Sequence, residues 1–151
     1  MEKSKKLESV SPNGQVFAIP TKDDYGPELE RLKRLKDEAR AEGKEIVVVV
    51  GVGFVGAVMA AIVADTVDKK TGKPSKFVIG MQRPSVRSFW KIKLLNRGES
   101  PVKAEDPEVD PMIRRCVLDK KTLVATFTED ALTLADVVVV DVQCDYLKQS
   151  L

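Results

Sequence analysis

The chain has 151 residues, 43% apolar and 32% charged, the make-up of one globular domain that is neither disordered nor held together by disulfides. Its 25 Lys and Arg against 23 Asp and Glu leave a net charge of +2, too even for the one-sided basic surface that a nucleic acid or an anionic membrane requires. Histidine is absent, which removes Ser–His–Asp and Cys–His hydrolases and histidine metal centres, because neutral imidazole is the base or the ligand in each.

Residues 1–26 form a polar arm with turn signals at Ser11-Pro12-Asn13-Gly14, Pro20 and Gly26, and Gly14–Ile19 is suited to a short strand or an extended segment. The start, Met1 to Lys6, is charged and leads into no apolar signal segment. Pro27 to about Ala41 predicts a helix whose Leu29, Leu32, Leu35 and Ala39 share one face, with Pro27 in its first turn and Gly43 closing it. Glu45–Val50 is a β-branched run of the kind buried on both faces of a sheet. Phe54–Ala64 predicts a helix, Lys76–Met81 a second strand and Ser85–Asn96 a second apolar helix closed by Arg97-Gly98. Pro111–Leu118 predicts a further helix, Thr122–Phe127 a third strand, Glu129–Ala135 a short helix and Asp136–Val142 a fourth strand. Strands alternating with helices imply an α/β fold, a parallel sheet covered on both faces.

Ile46–Ala64 runs 19 residues without a charge, close to the length of a membrane span. Its order argues otherwise: strand formers come first, glycines fall at 51, 53 and 56, and helix formers such as Ala57, Ala60 and Ala61 follow only then. A spanning helix has no reason to sort its residues around a glycine cluster. No membrane association is expected.

Gly51-Val52-Gly53-Phe54-Val55-Gly56 fits G-x-G-x-x-G between a predicted strand and a predicted helix, the context in which the pattern holds a dinucleotide. Gly51 would make the tight turn, Gly53 would clear a path for the diphosphate, and Gly56 would let the helix pack closely. Backbone N–H groups at the helix start would then face the phosphates. No Gly-Lys-Ser/Thr follows, so a Walker loop is excluded. In an NAD site an acidic residue about 20 positions on accepts from the adenosine 2′-hydroxyl. Here the tip of the second strand is Gln82, 31 positions after Gly51, with the added length in a polar turn at 68–76. Losing the acid removes the repulsion that excludes a 2′-phosphate, and Arg83 and Arg87 lie near, so NADP competes with NAD as the cofactor.

These residues carry a family resemblance. The glycine turn at 51–56, Arg87 five positions beyond the strand tip, Leu95-Asn96-Arg97-Gly98-Glu99-Ser100-Pro101-Val102, and Thr128-Glu129-Asp130 followed by Ala135-Asp136-Val137-Val138 resemble the nucleotide-sugar 6-dehydrogenases, the UDP-glucose and UDP-N-acetylmannosamine dehydrogenase group. The likeness runs over about residues 46–142. It implies a Rossmann-like doubly wound parallel sheet, truncated to about four strands with covering helices, occupying 27–151 and incomplete at its C-terminus. It also implies NAD as cofactor, with Gly51, Gly53, Phe54, Val55 and Gly56 along the dinucleotide and Gln82, Arg83 and Arg87 at the adenosine ribose. In the full-length enzyme a UDP-sugar would be oxidised at C6 from alcohol to carboxylate in two steps. Gln82 stands where the family has an aspartate, and Val142-Gln143-Cys144-Asp145 where it has Val-x-Thr-Pro.

The family's catalytic cysteine sits in a later Gly-rich motif with a lysine, and no such motif occurs here, so this chain alone is expected to be inactive. Cys144 is expected to be a small thiol at a strand end and Cys116 a core residue, and two cysteines suit a reducing cytoplasm. Glu105, Asp106, Glu108 and Asp110 are read as turn and helix-start acids ahead of Pro107 and Pro111 rather than as a metal site. Trp90 belongs to a core or an interface. The fourth strand, long and apolar, leaves an edge through which copies of the chain could associate. Two other readings share the glycine turn: another oxidoreductase of the 6-phosphogluconate and 3-hydroxyacid dehydrogenase kind, and a non-catalytic NAD(P)-sensing domain. A reading frame continuing into Gly-x-Cys-x-x-Lys-Asp would separate them from the first.

Overall fold

The computed structural model describes residues 6–142. Four strands form one parallel sheet: β3 (Glu45–Val50), β4 (Lys76–Met81), β5 (Leu123–Thr126) and β6 (Val137–Val140), in the order β5-β4-β3-β6. That is the order of the first three strands and the fourth of a doubly wound nucleotide-binding sheet, with the reversal between β3 and β6. The expected α/β class and the sheet of four strands are therefore present.

The valine-rich run of β3 is buried on both sides because its residues alternate between two cores. Val47 and Val49 join Val78, Leu123 and Ala125 beneath α2 (Phe54–Ala64), α3 (Phe89–Asn96) and α4 (Val109–Arg114). Ile46 and Val48 join Phe77, Ile79 and Met81 beneath α1 (Lys22–Ala41) and the 3₁₀ turn Glu129–Leu134. Leu32, fully buried, and Ala39 of α1 sit in this second core, with Leu29 and Leu35 packed on it. The spacing that predicted the helix thus also marks its buried face, and burying Leu32 stabilises the fold by about 2 kcal/mol.

Helix α1 begins five residues before the expected Pro27. The Asp24 carboxylate accepts the Thr21 backbone N–H at 2.7 Å and the Thr21 hydroxyl at 3.2 Å, an N-terminal cap that moves the start to Lys22. Pro27 then lies inside the helix and costs it one backbone bond. The arm ahead of it is a hairpin, β1 (Glu8–Val10) antiparallel to β2 (Val16–Ala18), clipped to α3 by the buried Ser9. The Ser9 hydroxyl accepts from the Trp90 N–H at 3.1 Å and donates to the Val86 carbonyl at 2.8 Å. Helix α3 correspondingly starts at Phe89 rather than Ser85, since Ser85 to Ser88 form a turn in which the Ser85 hydroxyl accepts the Ser88 N–H.

The Leu-Asn-x-Gly stretch ends α3 in a way its residue types dictate. Asn96 donates to the Ala125 carbonyl at 3.0 Å and accepts from the Ala125 N–H at 2.8 Å, so its amide stands in for a neighbouring strand on the free edge of β5. Gly98, at φ +76°, turns the chain out of the helix while Gly98 N–H and Glu99 N–H donate back to Leu95 and Leu94. Helix α4 runs Val109–Arg114, starting two residues before the expected Pro111–Leu118 stretch, and passes into a π-helical turn, Arg115–Asp119. Pro111 fits in its first turn, where no N–H is needed. The expected short helix at 129–135 is a 3₁₀ turn, and β6 covers Val137–Val140 of the expected 136–142, with Asp136, just ahead of it, bonded to Ile46 through its backbone N–H and its side chain. Its carboxylate accepts the Ile46 N–H at 2.8 Å and Arg40 at 3.0 Å. Cys144 and its neighbours Gln143 and Asp145 lie outside the described residues.

Candidate dinucleotide-binding site

Parallel strands paired in register bring their C-terminal ends to one edge of the sheet. Val50 pairs with Met81 and with Val140, and Met81 with Thr126, so the residues that follow, Gly51, Gln82 and Asp141, emerge side by side. A cavity of about 940 Å³ opens over this edge, within the size range of small-molecule sites. Of the residues singled out in the sequence, Gly51, Gly53, Phe54, Val55, Gln82 and Arg83 line it.

Two of the three glycines of the turn are required by the protein itself, for different reasons. Gly51 has φ +97°, and a β-carbon there would lie 2.0 Å from the Asp141 carbonyl oxygen. A β-carbon on Gly56 would lie 1.8 Å from the Gly51 carbonyl oxygen, so this residue sits under the turn rather than in the cavity wall. Gly53 is the exception. Its φ is −76° and a β-carbon would meet nothing within 4 Å, so the protein alone gives no reason for a glycine there. Gly53 is also the N-cap of α2 and brings no side chain to it. The first bond of the helix runs from the Ala57 N–H to the Gly53 carbonyl, so the N–H groups of Phe54, Val55 and Gly56 ahead of it have no partner within the helix, and Phe54 and Val55 lie in the cavity wall. Gly80 of β4 supports the turn from below, where a β-carbon would lie 2.7 Å from Val52.

Gln82, at the tip of β4, is tied to the turn: its side-chain oxygen accepts the Val52 N–H at 3.1 Å. Arg83, beside it, pairs with Glu129 across the opening. Arg87 is exposed and does not line the cavity, and its carbonyl accepts the Trp90 indole N–H at 2.8 Å. Val50, Met81, Lys91, Glu129, Leu132, Asp141 and Val142 complete the wall; none was named as a site residue from the sequence, though Glu129 stands in the Thr128-Glu129-Asp130 motif. Strand register would have found Asp141, which follows β6 as Gly51 follows β3. Lys91 and Glu129 lie on elements whose placement no local pattern gives.

The other polar cluster lies at the far end of α2. Asp65, its C-cap, takes two bonds from Arg115, at 2.9 and 2.6 Å, and one from Lys120 at 2.7 Å. Hydrogen bonds from Arg115, and after them Lys120, hold the Asp65 carboxyl well below the usual carboxylate range against the effect of its burial. Cys116 is fully buried beside it, and burial, then the Asp65 charge, pushes its thiol up to about 11. It is a core thiol, as its place on a helix predicted. Asp106 accepts the Glu108 N–H at 2.8 Å in the turn before α4. Among the described residues no three His, Cys, Asp or Glu side chains converge on a metal position, and no helix is long and apolar enough to cross a membrane.

A parallel sheet in this order, with a glycine turn opening a helix under a cavity at the strand ends, defines a truncated Rossmann-like α/β domain. No protein-family model and no curated protein matches the chain. Among solved structures, the chain is similar to the NDP-N-acetyl-D-galactosaminuronic acid dehydrogenase of Methanosarcina mazei Go1, at 31% identity and a TM-score of 0.59. The match covers 77% of this chain and 22% of the Methanosarcina protein, so it spans less than a quarter of that relative. The chain fits the nucleotide-sugar dehydrogenase family, as the motifs at 51–56, 95–102 and 128–138 indicate.

Proposed function

We propose that this chain is the cofactor-holding part of a nucleotide-sugar dehydrogenase, binding a nicotinamide adenine dinucleotide across the strand ends of its sheet. The observation that carries this reading is Gly53, a glycine with no steric or conformational need inside the protein, placed at the start of α2 where a diphosphate must come close. The bound nicotinamide would supply a hydride acceptor for oxidation of a sugar alcohol. The chain's own residues bind and orient it. The N–H groups at the start of α2 hold the diphosphate, an attraction of about 0.3–1 kcal/mol per charge from the helix end, rising to ~2 where partly buried. Gln82 and Arg83 take the adenosine ribose, and Asp141 stands at the opposite end of the cavity, over β6. The exposed rings and branches of Phe54 and Val55 exclude water from the turn once the ligand lies on them.

The longer enzyme would oxidise C6 of a nucleotide sugar such as a UDP-sugar, in two steps, in the cytoplasm. Cys116, the cysteine among the described residues, is buried at the far end of α2 with its thiol pushed up to about 11, so it is not placed to serve as the thiol nucleophile of the second step. The family's Gly-rich cysteine and lysine motif does not occur in the sequence, and on this reading the 151 residues alone bind cofactor without turnover. Calorimetry with NAD and NADP, together with an assay on UDP-glucose, tests both halves. Binding without turnover is expected. Absence of any dinucleotide binding would refute the site, and turnover by this chain would refute its assignment as the cofactor half.

A further inference from the structure

We infer that the ribose corner of this site recognises a 2′-phosphate, so that the chain prefers NADP to NAD. The inference rests on the dinucleotide reading above and concerns the adenosine end alone. The sheet order β5-β4-β3-β6 sets the direction: with the diphosphate on the turn after β3, one nucleoside lies over β4 and β5 and the other over β6. The adenosine end is then the one walled by Gln82, Arg83, Lys91 and Glu129.

Gln82 fixes the chemistry of that corner. Its partner on the turn, the Val52 N–H, can only donate, so the oxygen of the carboxamide must face it and the NH₂ is turned away from the turn. A carboxylate held in the same way would keep a second oxygen to accept a ribose hydroxyl. The amide turns its NH₂ donors to the free end, where a carboxylate would place a second charged oxygen, and keeps as acceptor only the remaining lone pair of the oxygen already engaged by the turn. Donors suit phosphate oxygens, and the negative charge that would repel a 2′-phosphate is missing from the strand tip.

The charges around Gln82 point the same way. Arg83 and Lys91 bring two cations to this end of the cavity against one carboxylate, Glu129. Arg83 pairs with Glu129, so a phosphate there competes with that carboxylate for the guanidinium. Both side chains of that pair are largely exposed, 80% and 52%, so the pair is weak and its guanidinium is readily redirected. A guanidinium is also the group best matched to phosphate, offering two parallel donors. Asp141, the other acid of the cavity, follows β6 on the opposite side of the glycine turn.

The test is calorimetric titration of the whole chain with NADP and NAD, repeated with 2′,5′-ADP and 5′-AMP to isolate the adenosine end. The expected result is NADP tighter than NAD by about tenfold, the worth of one charge-assisted contact, with 2′,5′-ADP tighter than 5′-AMP in the same proportion. Gln82→Asp should reverse the order, and Arg83→Ala should shrink the NADP to NAD ratio. NAD binding as tightly as NADP, or more tightly, would overturn the inference and leave the dinucleotide site standing. Failure of all four ligands to bind would overturn both. Because the wild-type ratio alone decides the matter, a variant that fails to fold does not shelter the inference.

Discussion

Replacing Gly53 by alanine tests ligand and fold separately, because the two make opposite demands at that position. In the protein alone the added methyl has open space and an ordinary backbone, φ −76° with no atom within 4 Å. Two small terms oppose each other: alanine restricts the unfolded chain, which stabilises by ~0.4–1 kcal/mol, and it is a poorer N-cap than glycine by a comparable amount. Stability should therefore stay within ~1 kcal/mol, or about 4 °C in Tm for a chain of this size. The methyl stands in the approach to the N–H groups of Phe54 and Val55, and each hydrogen bond to a charged group that it displaces is worth ~1.5–3 kcal/mol. Dinucleotide affinity should fall about 10- to 100-fold. Gly51→Ala is the contrasting variant. Its β-carbon would sit 2.0 Å from a backbone oxygen at φ +97°, so the fold itself is lost or weakened. The assay is a melting curve and a titration on each variant. A Gly53→Ala protein that keeps its wild-type affinity would refute the placement of the diphosphate on this turn.

Three further outcomes follow from the packing. Asp65 has its pKa lowered by folding, so its contribution to stability is present above the unfolded value near 4 and is lost as pH falls from there toward the folded value; Asp65→Asn should cost ~1–3 kcal/mol at pH 7 and flatten the acid limb of a stability–pH curve. Cys116, buried and with its thiol pushed up to about 11, should resist alkylation in native buffer at pH 8 and react once denaturant is added, as peptide mass mapping would show; rapid native labelling would contradict its core position. The outer edge of β6 has no strand partner among the described residues, and Val137, Val138 and Val140 are 42–65% exposed. Light scattering should show association at high concentration that Val138→Lys abolishes, and a wild-type monomer throughout would dismiss this edge as a self-pairing surface.

The sheet was legible because its strands are β-branched runs buried on both faces, a signal that needs no tertiary context. The bounds of β3, α2 and β4 agree residue for residue with the pattern read from 45–50, 54–64 and 76–81. The misplaced bounds trace to side chains that bond across the chain or across a turn. The Thr21–Asp24 cap extends α1 past Pro27. Ser9, distant in sequence, bonds at the start of α3, and the Asp136 carboxylate accepts the Ile46 N–H just ahead of β6. At the site, the glycines and Gln82 were readable because strand, turn and helix are contiguous. Lys91 and Glu129 were not, since they reach the cavity from a helix and a 3₁₀ turn that only the assembled sheet brings together, while Asp141 needed the register of β6 beside β3. Arg87, placed at the ribose by resemblance, is carried off the cavity wall by the turn at 85–88.

The claim on which the rest depends is that backbone N–H groups at the start of α2 receive a dinucleotide's diphosphate. Titrating ¹⁵N-labelled chain with NADP and following each amide resonance addresses it directly. The account predicts that the largest shifts fall on Gly51 to Ala57, with Gln82 and Arg83 next and the hairpin at 8–18 unmoved. Shifts centred on the hairpin, or none at saturating ligand, would contradict it.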